Sequence, residues 1–444
     1  MHLAGTLGYF GDVGRAAIGT EMIERAVATG SLVTCKLGTD RAGGMAMHRF
    51  LSAPSVTCKE MLQTLGARTV VACAGRRVVV AQDTTEVNFS GRQANRYGLG
   101  AGGDGVSDGF FIHPLIAIDS QTEAVLGLLD AQIWTRDDGI ETTPRRQRRL
   151  EDKESVRWLD GTARAGELLS DAASVVLVSD RESDIYSGFV RRPAGTDAII
   201  RAAHDRSLLD GESLFASAAD WPELAQMAVK VAPRRVDDPG RIATVALRAG
   251  PVVIKRPRNG FDASDAATVA LTLIEARETG SPVEGKPLIW RLLTNIVVND
   301  VEGAREIIRL YRLRWRIEEV FRALKSDGMR LEETQLHGGA RLFKLAVVGL
   351  AAATRTIQLV DARDASPRPA TDVIDAAMLP IARAIGPTLE RQTQRQQNPH
   401  PINSLAWLAW IIARLGDGTA TTSRRDQRRC GQDGFNSPPW QQAS

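Results

Sequence analysis

A chain of 444 residues is too long for one ordinary core and predicts roughly two to four folding units. Hydrophobic residues make up 43% and charged residues 25%, a balance that excludes a disordered chain. The net charge of +3 does not by itself announce a nucleic-acid partner, so any basic surface must be local. Cys35, Cys58, Cys73 and Cys430 form no CxxC pair and have no nearby His at zinc spacing. That argues against a structural zinc and fits a reducing compartment. The chain does not open on a signal-peptide pattern, and the longest apolar stretch, at 345–353, is too short to span a bilayer. The reading is a cytoplasmic protein, associated with the nucleoid if it binds DNA.

Residues 1–70 read as mostly helical, with basic positions at Arg15, Arg25, Lys36, Arg41, Arg49 and Lys59. Arg77-Val-Val-Val-Ala-Gln-Asp83 is a β-branched run ending in an acid, the pattern of a buried strand. A Gly-rich turn at 98–105 precedes two strand-like runs, 109–119 and 123–134, spaced as antiparallel neighbours. A charged stretch from 136 to 157, including Arg145, Arg146, Arg148 and Arg149, leads into an amphipathic helix with Trp158, Leu159, Ala163 and Leu168. Ser174-Val-Val-Leu-Val-Ser-Asp180 is a second buried strand ending in an acid, and the helix that follows takes Ser183 as its cap.

Residues 196–285 alternate short β-like runs with Gly, Pro and Asp turns and read as a β-rich insertion. A strand at 287–294 precedes one long helix at about 300–326, with further helices up to about 415. From 416 the chain is polar, basic and rich in Gly and Pro, and reads as a disordered tail.

Asp83 and Asp180 both close a strand, where side chains leave a packed sheet. Two carboxylates brought together there repel unless protonated or neutralised by a cation, and magnesium or manganese suits oxygen ligands. Each Asp alone is more simply a cap or a turn acid. Glu318 adds weight. On a continuous helix Tyr311, Arg314, Glu318 and Lys325 would project within a sector of about 60°, beside an apolar stripe of Leu313, Ile317, Val320, Phe321 and Leu324.

Here the sequence resembles the bacterial insertion-sequence transposases that use a DDE triad and carry a YREK signature. Tyr311-Arg-Leu-Arg314-Trp-Arg-Ile-Glu318-Glu-Val-Phe-Arg-Ala-Leu-Lys325 matches the signature in full. Gln82-Asp83-Thr-Thr resembles the first-acid motif, and Ser179-Asp180-Arg-Glu-Ser-Asp-Ile-Tyr the second. Glu151-Asp-Lys-Glu-Ser-Val-Arg-Trp158 and Arg49-Phe-Leu-Ser-Ala-Pro-Ser-Val are also similar to family segments, so the resemblance covers nearly all of residues 10–415.

The resemblance implies an α/β, ribonuclease-H-like catalytic core with a β-rich insertion and with N- and C-terminal helical regions. The boundaries that follow are a DNA-binding region at 1–70, the core at 71–195 and 286–360 interrupted by the insertion at 196–285, a dimerisation region at 361–415 and the tail at 416–444. It implies cut-and-paste transposition through a DNA hairpin, within a homodimeric synaptic complex on double-stranded DNA. Asp83, Asp180 and Glu318 would be the catalytic metal ligands for two Mg2+ or Mn2+ ions. Tyr311, Arg314 and Lys325 would grip the terminal phosphate of the non-transferred strand. Trp290 would stack an extruded base, provided that its indole face is exposed. Trp315 would pack or contact the hairpin. Arg181 and Glu182 would orient ligands beside the second acid, and the arginines at 145–149 would track phosphates. His113 and His337 read as structural.

Two other readings meet the same residues less well. A transposase relative that binds DNA without cutting it, acting as an inhibitor, would not need the intact triad. A glycoside hydrolase would use paired acids but gives no reason for the Tyr, Arg and Lys around Glu318.

Overall fold

The computed structural model describes residues 6–89, 96–103, 107–136, 150–231, 241–258, 262, 264–280, 287–325, 328–362, 368–374 and 376–415. The arginines at 145–149 and the tail from 416 lie outside these residues. The chain divides into two compact units. The first comprises Met1–Thr142, Arg164–Val175 and Arg316–Gly418, and the second Thr143–Ala163, Val176–Trp315 and Thr419–Ser444.

The first unit opens with helices Val13–Thr29, Thr34–Leu37, Arg41–Ser52 and Cys58–Cys73. Three of them start on a side chain that accepts a backbone N–H: Asp12 from Arg15, Asp40 from Gly43 and Thr57 from Glu60. The first ends on Gly30 in the left-handed region (φ 58°), a conformation that glycine adopts without a Cβ penalty.

Five strands follow: β1 (Arg77–Gln82), β2 (Thr85–Phe89), β3 (Gly100–Ala101), β4 (Asp108–Asp119) and β5 (Val125–Trp134). β4 is the hub, antiparallel to the other four. β1 and β2 lie end to end along one of its edges in a single register, Gln82 opposite Leu115 and Thr85 opposite Ile112. Asp83 and Thr84 therefore face Pro114 and His113. Pro114 has no amide hydrogen to give to a neighbouring strand, and the ladder breaks there before resuming at Thr85. Asp83 thus directly follows the end of β1, as the sequence suggested, and β2 resumes two residues later along the same edge of β4.

The helix Gly339–Asp361 is long and apolar enough to cross a membrane by length and composition, but 72% of its apolar window is buried inside the protein. It is a core helix. Its far end meets a cluster of Leu359, Val373, Leu405, Trp407, Leu408 and Ile411, contributed by the C-terminal helices.

In the second unit the sheet runs β6 (Ser174–Ser179, whose first two residues fall in the first unit), β7 (Thr196–Arg201), β11 (Ile289–Thr294), β10 (Thr268–Glu278), β9 (Arg241–Lys255) and β8 (Ala225–Val231). β7 to β8 in this order are antiparallel neighbours. The β-rich segment is thus joined edge to edge with β11 and does not form a sheet of its own. Ile200, Leu208, Leu214, Ile254, Leu273 and Leu293 fill one core with Tyr186 and Phe189. The fold class is mixed α/β.

The stretch at 300–326 is two helices. Val301–Arg312 starts on Asp300, which accepts from Gly303 N at 2.8 Å, and Trp315–Lys325 follows after a break. At the break the Leu313 and Arg314 amides reach back only three residues, to Leu310 and Tyr311. Tyr311, Arg314, Glu318 and Lys325 are therefore not carried by one continuous helix. Tyr311 lies in the last turn of one helix, Arg314 in the break, and Glu318 and Lys325 on the next helix.

Candidate active site

In the first unit Asp83 is half-buried at the break between β1 and β2. Its Oδ1 accepts the Thr84 amide at 2.8 Å, which fixes the carboxylate against its own backbone. His113, across the gap, places Nδ1 2.9 Å from Thr84 Oγ1 and Nε2 3.3 Å from Gln82 Oε1. The histidine read as structural thus braces both neighbours of the first acid.

Glu318 lies in the first turn of the helix Trp315–Lys325, half-buried. Ile317, Val320 and Leu324 are fully buried on this helix and set its rotation. Arg316 pins its start by pairing with Glu319 and with Asp361 at the end of the core helix. Burial pushes the Glu319 carboxyl up, against the pull of Arg316.

Lys325 donates from Nζ to the Glu86 carbonyl at 2.6 Å and lies 3.1 Å from Glu332 Oε1. Glu332 in turn accepts the Asn88 amide at 3.2 Å. The lysine expected to grip a phosphate is therefore a strut here. It laces the helix of Glu318 to β2, the strand that resumes just past Asp83.

In the second unit Asp180 follows β6 and caps the short 3-10 turn Arg181–Ser183, accepting Glu182 N on Oδ1 at 2.9 Å. The cap is Asp180, not Ser183 as the sequence suggested, and the next helix starts only at Tyr186. Asp180 is 6% exposed. Glu182 pairs with Arg157 at 2.9 Å, and Arg181 is exposed.

Tyr311 and Arg314 are buried, at 4% and 2% exposure. Burial pushes the Tyr311 phenol above the usual tyrosine range, while Arg314 and Arg201 draw it back and Asp180 adds to the rise. Arg201, at the end of β7, sits in the same field. Burial lowers its guanidinium, Tyr311 and Asp180 raise it, and Arg181 and Arg314 oppose them. Three arginines thus share one electrostatic neighbourhood with Asp180 and Tyr311. Arg314 also lies over the Trp315 ring, 4.6 Å from its centroid, so packing against the arginine is the contact described for Trp315.

Sequence reasoning missed Arg201 and the anchor that places it. Asp184 has a fully buried side chain. It accepts the Ala203 and His204 amides at 2.8 and 3.0 Å and binds Arg206 at 2.6 Å. This fastens the loop after β7 to the turn that begins with Asp180. The pairing spans some twenty residues between unlike elements, and the only trace of it in the sequence is the second-acid motif itself, in which Asp184 looks like one more turn acid.

Trp290, expected to stack a base if its indole face is open, is buried. It sits on β11 opposite Ala276, 5% exposed, because alternate residues of that strand face a packed core. Its indole leaves no open face on which a base could stack.

Residues 112–354, more than half of the chain, match the family model of the transposase DDE domain. The chain belongs to this family. As a DDE transposase it is of a class that acts on DNA and generally uses divalent metal ions. The matched stretch of the transposase contains Asp180 and Glu318 and begins after Asp83.

The three acids expected as ligands, Asp83, Asp180 and Glu318, offer carboxylate oxygens alone, the ligand chemistry that magnesium and manganese favour. In Asp83 and Asp180 a nearby backbone amide already fixes Oδ1. Asp83 and Glu318 belong to the first unit and Asp180 to the second. Among the described residues no group of three or more His, Cys, Asp or Glu side chains stands ready as a metal site.

Proposed function

We propose that this DDE transposase cuts the ends of its own mobile element and joins them to target DNA, with Asp83, Asp180 and Glu318 as the ligands of a divalent metal, Mg2+ or Mn2+, in a two-ion site. Bound there, the metal would sharpen the attacking oxygen and relieve charge on the phosphate. Asp83 and Asp180 present carboxylates whose rotation is set by a backbone amide, so little orientational freedom is left to lose on binding. Glu318 is supplied by a helix fixed by its apolar side, by Arg316 and by Lys325.

Arg181, Arg201 and Arg314 supply positive charge beside Asp180. Their part is to bind the phosphates of the strand end, Arg314 through its fork of donors. Tyr311, buried against Arg314, orients that fork. A hairpin intermediate and a homodimeric synaptic complex on double-stranded DNA complete the reading. They rest on the signature residues Tyr311, Arg314, Glu318 and Lys325 and on the order of the acids.

The observation that carries the proposal is the match of the transposase DDE domain over a stretch holding Asp180 and Glu318. The test is incubation of the full chain with linear duplex carrying the element's terminal repeats. Strand cleavage that appears with Mg2+ and stops with EDTA is expected. Cleavage unaffected by the chelator contradicts the metal assignment.

A further inference from the structure

His113 is 1% exposed and stands on β4 directly across from the gap that holds Asp83. One ring nitrogen meets each neighbour of that acid, Thr84 at 2.9 Å and Gln82 at 3.3 Å. With Gln82 Oε1 as acceptor, the ring carries its proton on Nε2 and accepts the Thr84 hydroxyl at Nδ1. In a pleated strand residues 82 and 84 share one face and 83 projects from the other. The imidazole therefore grips the chain on either side of Asp83. Thr84 passes the constraint on, since its amide holds Asp83 Oδ1 at 2.8 Å. Such a brace has a purpose here. The register of β4 with β1 ends at Gln82 and that with β2 starts at Thr85, and the imidazole spans this junction through Gln82 and Thr84.

We propose that His113 is a positioning residue for the transposition reaction, clamping Gln82 and Thr84 so that Asp83 presents its carboxylate to a divalent cation in one orientation. This rests on the assignment of Asp83 as a metal ligand. Outer partners that orient a ligand typically change metal affinity by about 10- to 100-fold, which sets the size of effect to look for.

The experiment titrates the full chain with Mn2+, following the spectroscopic signal of the free ion, beside thermal unfolding of the same samples. His113→Leu fills much the same space without either hydrogen bond and is expected to weaken Mn2+ binding by about tenfold. His113→Gln, whose amide both donates and accepts, is expected to recover part of the loss. Thr84→Val removes the other end of the bond at nearly equal volume and serves if His113→Leu fails to fold. In an Asp83→Ala background His113→Leu should cost nothing further. Unchanged Mn2+ affinity in folded His113→Leu or Thr84→Val protein overturns the clamp. So does a further tenfold loss in the Asp83→Ala background, which marks a general effect on the fold. If Asp83→Ala alone leaves Mn2+ binding intact, the metal assignment of Asp83 fails and the clamp falls with it.

Discussion

Lys325 donates a hydrogen bond from its ammonium to the backbone carbonyl of Glu86, 2.6 Å away, and so ties the helix of one proposed metal ligand to the strand of another. Asp83 lies three residues before Glu86, and Glu318 two helical turns before Lys325. Any slip of that helix along β2 would shift the two acids relative to each other.

Lys325→Met should therefore act on geometry as much as on charge. A charge-assisted hydrogen bond to a carbonyl is lost, while the half-exposed pair with Glu332 counts for little, so a destabilisation of about 1–2 kcal/mol is expected. Cleavage should fall further than that loss accounts for at a temperature where the variant is fully folded. Urea unfolding and a cleavage time course on the same preparation measure the two effects. Unchanged cleavage in Lys325→Met would remove the strut from the account.

Tyr311 gives stability a dependence on alkaline pH. Its folded phenol is raised above the value of about 10 that it has in the unfolded chain, chiefly by burial. Above pH 10 the unfolded state releases this proton first, so the tyrosine's contribution is fully present below that pH and declines as pH rises toward the folded value. Unfolding followed from pH 9 to 11 should show the wild type losing stability faster than Tyr311→Phe, which has no phenol to ionise. Parallel curves would contradict the buried, protonated phenol.

Trp290 should behave as a core residue. Trp290→Ala is expected to cost about 3–5 kcal/mol, read as a lowered midpoint in urea. Trp290→Phe should keep most of the stability and retain cleavage. A Trp290→Phe protein of unchanged stability that cannot process DNA ends would show that the indole meets the substrate.

How far these features could be read from the sequence depends on the range of the interactions behind them. The strands Arg77–Gln82 and Ser174–Ser179 were legible because a run of β-branched residues closed by an acid is a local signal. The break after Arg312 was not, since no Pro or Gly marks it and the apolar stripe runs through Leu313 to Ile317 without a fault. Asp83 was legible at the end of β1, but the resumption of the chain as β2 along the same edge was not, because that pairing is made with another strand. Arg201 carries no local mark at all; the loop after its strand is held by Asp184, and that contact exists only in the fold. The burial of Trp290 was not legible for a related reason: its spacing from the signature says nothing about which face of β11 is covered.

The most direct test of the central claim is metal-dependent cleavage of a terminal-repeat duplex by Asp83→Ala, Asp180→Ala and Glu318→Ala, each measured beside its affinity for the same duplex without metal. Each variant is expected to bind the duplex as the wild type does and to show no strand cleavage in Mg2+. A variant that still cuts would contradict the assignment of that acid, and cleavage by all three would contradict the account.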